Sequence, residues 1–205
     1  MTISSSPPSQ KIGLLGGTFD PIHSGHEFIL KQAMDEFDFD CLLLCPAHQA
    51  PLRDYSPIFP PTQRLEMVSL IAKENPRTIV FDFEIKQKKT SYTWNTIQEV
   101  KKLYPNPKIY LLIGYDQFLQ LPKWKFLREL SKEVHFVVFA RGQSRPVPSL
   151  SFDLSFTLMN NSLICVSSTS IREKIQKGKS IKGMVPNAIH SYLQDNHLLT
   201  NSSII

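Results

Sequence analysis

Short apolar runs alternate along the chain with segments in which apolar residues recur every three or four positions. The runs predict strands, most of them without a polar interruption, at residues 11–15, 41–45, 78–83, 108–113, 134–139 and 163–166. The periodic segments predict helices at 24–37, 62–74, 93–104, 124–132, 170–177 and 186–195. Continuous apolar strands separated by helices are typical of a parallel sheet covered on both faces. We therefore expect an α/β fold, a Rossmann-like doubly wound parallel sheet with helices on both faces.

Two irregular segments interrupt this alternation. Residues 46–61 carry five prolines, and residues 141–150 combine glycine, serine and proline. Proline removes a backbone donor, so neither segment suits a helix interior or a central strand. Both follow predicted strands, where a loop is either a passive connection or a cover for a ligand.

The length of 205 residues and the 41% hydrophobic content fit one α/β domain, which we place at residues 11–200 with a C-terminal helical portion. Residues 1–10 are polar and Ser/Pro-rich, and we expect them to form a disordered lead-in rather than a secretory signal. No window offers the roughly 20 apolar residues of a membrane span. We expect a cytoplasmic protein with no membrane partner.

Cysteines and charge narrow the function classes further. Cys41, Cys45 and Cys165 all fall in predicted strands, which favours buried reduced thiols over disulfides or a zinc site. The net charge is +5, and the basic residues concentrate near 172–182 and 86–89 without interleaved aromatic residues. A small polyanionic substrate explains this charge as well as nucleic acid does, and we expect no nucleic-acid partner.

The segment from Gly16 to His26 joins the first predicted strand to the first predicted helix. Glycines at such a turn let backbone N–H groups approach a phosphate, and Ser24 with Glu27 has the spacing of a capping box. His23 then lies just before the helix and His26 in its first turn. An ordinary turn with two surface histidines is the alternative, but the whole string in its strand-turn-helix setting favours a polyphosphate site.

A second cluster of hydroxyl groups, Ser167-Ser168-Thr169, comes before another predicted helix. Ser170 with Glu173 is predicted to cap this helix, and Gly178 to end it. Capping alone explains such a cluster in many proteins. Arg172 in the first turn adds a fork of donors suited to phosphate oxygens, which makes the segment a candidate second anion site.

The string Gly16-Gly17-Thr18-Phe19-Asp20-Pro21-Ile22-His23-Ser24-Gly25-His26 resembles the signature of the nucleotidyltransferase superfamily with the His-x-Gly-His motif. Val166 to Arg172 resembles the Ile-Ser-Ser-Thr-x-Ile-Arg motif that accompanies it in adenylyltransferases. The resemblance implies catalytic roles for His23 and His26 at the α-phosphate and for Arg172 at the departing pyrophosphate. It implies ATP contacts from Gly16, Gly17, Thr18, Phe19, Asp20, Ser167, Ser168 and Thr169, although Asp20 has a structural alternative. We expect Mg²⁺ to arrive with ATP, no metal ligands in the chain and no tightly bound organic cofactor.

Three further segments are similar to the acceptor side of nicotinate-nucleotide adenylyltransferases, namely Ser91-Tyr92-Thr93, Ile113-Gly114-Tyr115-Asp116 and Leu121-Pro122-Lys123-Trp124. The resemblance implies that nicotinate mononucleotide is bound by Arg53, Tyr92, Thr93, Gly114, Asp116, Trp124 and Lys125. The Trp124 indole suits stacking on a pyridine ring, and backbone N–H groups near Thr93 and Lys125 suit its carboxylate.

One position departs from this family. The usual Pro-Pro-His-Lys stretch corresponds to Ala50-Pro51-Leu52-Arg53, so leucine replaces the histidine. His48 is an alternative source of an imidazole, and Arg53 keeps the basic position.

The expected activity is adenylyl transfer from ATP to nicotinate mononucleotide, which gives nicotinate adenine dinucleotide and pyrophosphate in NAD biosynthesis. Nicotinamide mononucleotide and 4′-phosphopantetheine are alternative acceptors, and a non-catalytic nucleotide-binding protein is a third reading. The expected partners are small-molecule substrates, with monomer and homo-oligomer both open.

Overall fold

The computed structural model describes residues 10–52, 55–139, 146–161 and 166–199. Within these residues the strands form one parallel sheet in the order β3-β2-β1-β4-β5-β6. Their bounds are β1 Lys11–Gly17, β2 Cys41–Pro46, β3 Thr78–Val80, β4 Lys108–Gly114, β5 Val134–Phe139 and β6 Phe156–Met159.

The bounds of the helices are α1 Ser24–Phe37, α2 Pro61–Glu74, α3 Phe83–Gln87, α4 Thr93–Leu103, α5 Tyr115–Leu119, α6 Leu127–Glu133, α7 Ser168–Gln176 and α8 Asn187–Asp195, with a 3₁₀ turn at Leu121–Lys123. The helices α1 to α6 lie in the connections between β1 and β5, and α7 and α8 follow the last strand, β6. The chain runs outward from β1 to β3 and then returns to place β4 on the other side of β1. The predicted doubly wound parallel sheet is therefore confirmed, and its switch point lies between the carboxyl ends of β1 and β4.

Both faces of the sheet are buried, which explains why its central strands are apolar without alternation. Leu15 packs in a cluster with residues of α1, α2, α7 and α8, whereas its neighbour Leu14 packs with residues of α4, α5 and α6. Gly13 in β1 allows a close approach, since a Cβ there would lie 2.9 Å from ring atoms of Phe39. β1 is therefore packed on both faces up to the glycine turn that follows it.

Two predicted strands differ from the structure. The apolar run 78–83 is divided, because β3 ends at Val80 and α3 begins at Phe83. Asp82 precedes α3 and pairs with Lys86 one turn later at 3.0 Å, which favours the helix. β3 is an edge strand, and Ile79 in it is 45% exposed.

The other difference concerns the last strand. β6 at Phe156–Met159 was not predicted, while the predicted strand 163–166 has only Val166 among the described residues, and Val166 is not in a strand. β6 pairs with β5 from Phe136↔Phe156 to Phe139↔Met159. His135 supports this pairing with contacts to Ser155 Oγ at 2.7 Å and Thr157 Oγ1 at 2.8 Å. The short run in β6 contains a polar residue and follows an irregular loop, so its hydrophobic pattern was weak.

Among the described residues, the prediction of buried reduced cysteines is confirmed. Cys41 and Cys45 are buried free thiols, and burial raises the pKa of the Cys45 thiol. Cys165 and residues 1–9 of the lead-in lie outside the described residues, and the domain limits of 11–200 stay a prediction. In the described part of the chain, the helices are too short or too polar to cross a membrane.

Candidate active site

A cleft of about 480 Å³ opens at the switch point of the sheet. Its walls come from the ends of β1 and β4, the N-termini of α1, α4 and α7, and the segment before α6. The structure brings together in its lining most of the residues singled out from the sequence, namely Gly16, Gly17, Thr18, Phe19, His23, His26, Tyr92, Thr93, Gly114, Asp116, Trp124, Lys125, Ser167, Ser168 and Thr169.

The histidine pair caps α1. The Nδ1 atom of His23 accepts the Gly25 N–H at 3.1 Å, and Nδ1 of His26 accepts the His23 N–H at 3.2 Å. The two rings stack with their centroids 3.7 Å apart. Because each Nδ1 accepts a hydrogen bond, the neutral form of each ring carries its proton on Nε2. The imidazoles are thereby set up as Nε2–H donors at the cleft wall.

The predicted capping box of Ser24 and Glu27 is wrong, although α1 does begin at Ser24. His23 is the N-cap residue and His26 completes the box, whereas Glu27 pairs with Lys31 at 2.6 Å. The physical reason is that an imidazole Nδ1 reaches the first-turn N–H groups as a hydroxyl does. The stack of the two rings holds both Nδ1 atoms in place.

Phe19 shapes the turn between β1 and α1. It has a positive φ of 50° and is buried, and its ring meets the His26 ring edge-on at 5.0 Å. A Cβ on Gly17 would lie 3.1 Å from the Phe19 ring, so glycine allows the ring to sit against the backbone. The His26 ring therefore contacts both the His23 ring and the Phe19 ring.

Asp20 lies outside the cleft lining and is fully buried. Its carboxylate accepts the N–H groups of Ile58 and Phe59 at 3.1 Å and 2.9 Å. It therefore ties the proline-rich segment to the glycine turn, which is the structural alternative considered for this residue.

Arg172 is 8% exposed and also lies outside the lining of the cleft. Its guanidinium donates to the Asp20 carbonyl oxygen, the Tyr55 hydroxyl and Thr169 Oγ1, each at 3.0 Å, and lies 3.6 Å from Asp20 Oδ2. Tyr55 also presents its ring to the guanidinium at 4.8 Å. Arg172 thus connects α7, the glycine turn and the proline-rich segment through contacts behind the cleft wall.

The N-terminus of α7 faces the same cleft as that of α1. Ser167 is the N-cap residue, its Oγ accepts the Ser170 N–H at 3.2 Å, and α7 begins at Ser168. The predicted cap of Ser170 with Glu173 was therefore placed three residues too late, since the helix includes the hydroxyl cluster itself. Ser168 Oγ donates to the Pro21 carbonyl at 3.0 Å, which joins the two motifs directly. Gly178 follows the end of α7 with a φ of 61°, as predicted.

Aromatic and basic side chains form the opposite end of the cleft. Tyr92 is the N-cap residue of α4, and Lys125 Nζ lies 5.0 Å from the centroid of its ring. Ser91 beside it donates its N–H to the Gln49 carbonyl at 2.9 Å and accepts the His48 N–H on its Oγ at 3.0 Å. These bonds hold the start of the proline-rich segment against α4.

The structure distinguishes the two positions considered for an imidazole in the proline-rich segment, Leu52 and His48. Leu52 lines the cleft with its side chain 41% exposed, whereas His48 is not among the described residues that line it. The position that departs from the family pattern is therefore an apolar part of the wall. Arg53 lies outside the described residues.

Several lining residues were missed from the sequence, among them Glu84, Thr96, Gln117 and Lys123. Glu84 is buried in α3 and accepts a hydrogen bond from the Thr96 hydroxyl. It was missed because α3 was not predicted, and Glu84 lay just beyond the run 78–83 that was assigned to a strand. Within the described ranges, no group of three or more His, Cys, Asp or Glu side chains is placed to hold a metal ion.

Comparison with known proteins agrees with this geometry. Residues 14–174 match the family model described as cytidylyltransferase-like. A protein of Exiguobacterium sibiricum named "Probable nicotinate-nucleotide adenylyltransferase" is 35% identical over 188 residues, which are 92% of this chain and 98% of the relative. One of the same name from Methylacidiphilum infernorum is 32% identical over 93% of this chain and 92% of the relative.

A solved structure shares the fold. The Plasmodium falciparum nicotinic acid mononucleotide adenylyltransferase complexed with NaAD superposes with a TM-score of 0.71 at 20% identity and covers 93% of this chain and 97% of its own. The family model and the relatives each span most of the chain. The chain accordingly belongs to the cytidylyltransferase-like family of nucleotidyltransferases, within its nicotinate-nucleotide adenylyltransferase branch.

Proposed function

We propose that the chain transfers the adenylyl group of ATP to the 5′-phosphate of nicotinate mononucleotide, giving nicotinate adenine dinucleotide and pyrophosphate. The observation that carries the proposal is the meeting of two helix N-termini in one cleft, joined by the Ser168–Pro21 hydrogen bond. Together they offer room and donors for a triphosphate. The aromatic end at Tyr92 and Trp124 supplies a place for a planar ring in the same cleft.

The reaction requires that the two substrates be positioned and that the charge developing in the transition state be stabilised. A phosphate oxygen of the mononucleotide attacks the α-phosphorus, a new P–O bond forms, and the bond to the bridging oxygen of the leaving pyrophosphate breaks. The nucleophile is already an anion at neutral pH, so a strong general base is not needed. Donors aimed at the developing charge then lower the barrier.

Different residues are assigned to the α-phosphate and to the leaving pyrophosphate. We assign the Nε2–H groups of His23 and His26 and the backbone of residues 16–20 to the α-phosphate region, and Ser167 to Thr169 to the leaving pyrophosphate. Arg172 adds positive charge behind Thr169, 3.0 Å from its hydroxyl, and supports the leaving group through that hydroxyl. Mg²⁺ enters as part of the ATP substrate.

The acceptor lies at the other end of the cleft in this proposal. Trp124 and Tyr92 hold the pyridine ring, Thr93 and Lys125 offer backbone N–H groups to its substituent, and Gly114 and Asp116 contact the mononucleotide. Arg53 is kept as a candidate for the phosphate of the mononucleotide. We place the reaction in the cytoplasm, where ATP and pyridine nucleotides are made and used.

A pyrophosphate-release assay tests the proposal. The protein is incubated with Mg-ATP and, in turn, nicotinate mononucleotide, nicotinamide mononucleotide and 4′-phosphopantetheine. We expect the highest kcat/KM with nicotinate mononucleotide and a dinucleotide product of matching mass. Binding of ATP without pyrophosphate release for any of the three acceptors contradicts the proposal and favours a nucleotide-binding protein. Preference for phosphopantetheine contradicts the assignment of the aromatic end.

A further inference from the structure

Lys125 places a cation at the acceptor end of the cleft. It lines the cleft, and its Nζ lies 5.0 Å from the ring centroid of Tyr92, another lining residue. Lys31, Lys86, Lys101 and Lys102 each pair with a carboxylate one turn away or on a neighbouring element, whereas Lys125 makes no ion pair within the described ranges. Its charge is therefore directed at an aromatic wall of the cleft rather than neutralised by an acidic side chain.

The neighbouring residue fixes this geometry. Phe126 has a φ of 62°, a left-handed conformation that costs a bulky residue roughly 1–2 kcal/mol. Its ring meets Tyr92 edge-on at 6.3 Å and lies 6.4 Å from the ring of Trp94. Such strain persists only where surrounding contacts compensate for it. Phe126 and Lys125 thus contact the same Tyr92 ring, which holds the segment before α6 against the start of α4.

The acceptor end needs such a cation if it is to recognise an acid. Glu84 and Asp116 also line the cleft, so an additional carboxylate on a bound ring enters a wall that already carries two acidic groups. Lys123 and Lys125 are the lysines of that lining, and Lys125 is the one set over the ring of Tyr92.

Backbone N–H donors settle only part of the choice between acid and amide. A carboxylate accepts N–H groups on both oxygens, whereas a carboxamide accepts on one oxygen and has a donor in place of the other, so the N–H groups near Thr93 and Lys125 favour the acid but can bind either substituent through one oxygen. The two pyridine mononucleotides differ by one negative charge on the ring substituent, and a fixed ammonium discriminates by that charge. We propose that the Lys125 side chain is the specificity-determining residue that selects nicotinate over nicotinamide mononucleotide, an inference that rests on the proposed function.

The test compares the two acceptors in one variant. Lys125→Met keeps most of the apolar stem and removes the charge. We expect kcat/KM for nicotinate mononucleotide to fall roughly three- to fivefold, a moderate effect because the side chain is exposed. The value for nicotinamide mononucleotide falls by a smaller factor, so that the ratio of the two kcat/KM values narrows, and Lys125→Arg retains the acid preference.

A control and a salt series sharpen the result. Lys132→Met removes the same charge from an exposed position of α6 outside the cleft lining, and it leaves the ratio of the two kcat/KM values unchanged. Raising the ionic strength lowers the ratio of kcat/KM for nicotinate mononucleotide to kcat/KM for nicotinamide mononucleotide in the wild type. The ratio of Lys125→Met does not change, because screening acts on the charge that the variant lacks.

The contrary outcomes are distinct. An unchanged ratio of the two kcat/KM values in Lys125→Met overturns the inference. If both values fall equally, Lys125 only supports the Tyr92 wall, and if both stay as in the wild type, it contributes to neither acceptor. If the proposed function is wrong, the wild-type protein releases no pyrophosphate in the assay, before any variant is compared. In that case titration calorimetry of the two mononucleotides against wild type and Lys125→Met decides the inference by the same ratio of affinities.

Discussion

At the scale of single residues, His23 carries two tasks that one substitution can separate. Its Nδ1 caps α1 through the Gly25 N–H, while its Nε2–H is the proposed donor to the α-phosphate. Asparagine is a strong N-cap residue but has no imidazole. We expect His23→Asn to keep the free energy of unfolding within about 0.5 kcal/mol of the wild type and to lower kcat by 10²-fold or more, measured by urea unfolding and by pyrophosphate release.

His23→Ala is the matched comparison, because it removes the cap as well. We expect it to lower kcat by a similar factor and also to destabilise the protein by about 1 kcal/mol. A His23→Asn variant with near-normal kcat would show that the imidazole serves only the helix.

The sequence located this histidine pair but not its contacts. Serine is the commoner cap, so Ser24 was the natural choice, and only the stacked rings show why His23 takes its place. Asp20 and Arg172 illustrate the same limit. Both belong to recognisable motifs, but their burial and their mutual contact depend on how residues 55–59 fold over them.

At the scale of elements, Arg64 in α2 holds several loops together. It is fully buried, and its guanidinium donates to the carbonyl oxygens of Thr18, Ala47, His48 and Phe59 at 2.5–3.2 Å. These carbonyls come from the glycine turn and from both ends of the proline-rich segment. The sequence predicted the helix that contains Arg64 but not these contacts, because the carbonyl groups meet only in the folded chain.

We expect Arg64→Lys to destabilise the protein by about 3 kcal/mol despite its retained charge. Lysine has three donors on one atom and cannot reproduce the planar fork, so buried carbonyls lose their partners. Urea unfolding measures the loss, and Arg128→Lys at an exposed site of α6 is the control, expected within 0.5 kcal/mol of the wild type, roughly the usual surface effect. Equal stability of the two variants would contradict the role given to Arg64.

β6 pairs with β5 through the backbone, and the His135 side chain contacts two hydroxyl groups beside this pairing. These side-chain contacts predict an effect of pH on stability. Burial lowers the pKa of His135, which contacts the hydroxyls of Ser155 and Thr157. As pH falls through the ordinary pKa of histidine near 6.5, the unfolded chain takes up a proton that the folded chain resists, and stability is lost. Above that range, the folded and unfolded chains hold the same charge at this residue.

His135→Gln keeps a polar side chain and removes the titration. We expect the melting temperature of the wild type to fall by about 1 °C more than that of the variant between pH 7.5 and pH 5.5, as followed by circular dichroism. An identical decrease in both proteins would exclude His135 as a source of the pH dependence.

At the scale of the whole molecule, the alternation of apolar runs and periodic segments was enough to predict a doubly wound parallel sheet, although it did not predict the order of the strands. Strands buried on both faces, such as β1 and β2, are continuous in apolar residues and were placed within two residues of their ends. The short edge strands β3 and β6 have weaker patterns, and their limits required tertiary pairing. The strand order sets β1 beside β4, and the cleft opens at their carboxyl ends.

In the proposed reaction, Mg²⁺ belongs to the ATP substrate and does not support the fold. If Mg²⁺ arrives with ATP, a chelator removes a substrate and leaves the protein intact. We expect EDTA in excess to abolish pyrophosphate release, while the melting temperature without nucleotide changes by less than about 1 °C. ATP should raise that melting temperature more with Mg²⁺ than with EDTA, because the ion completes the ligand that the folded state binds. A lower melting temperature of the nucleotide-free protein in EDTA would instead reveal a resident ion that supports the fold.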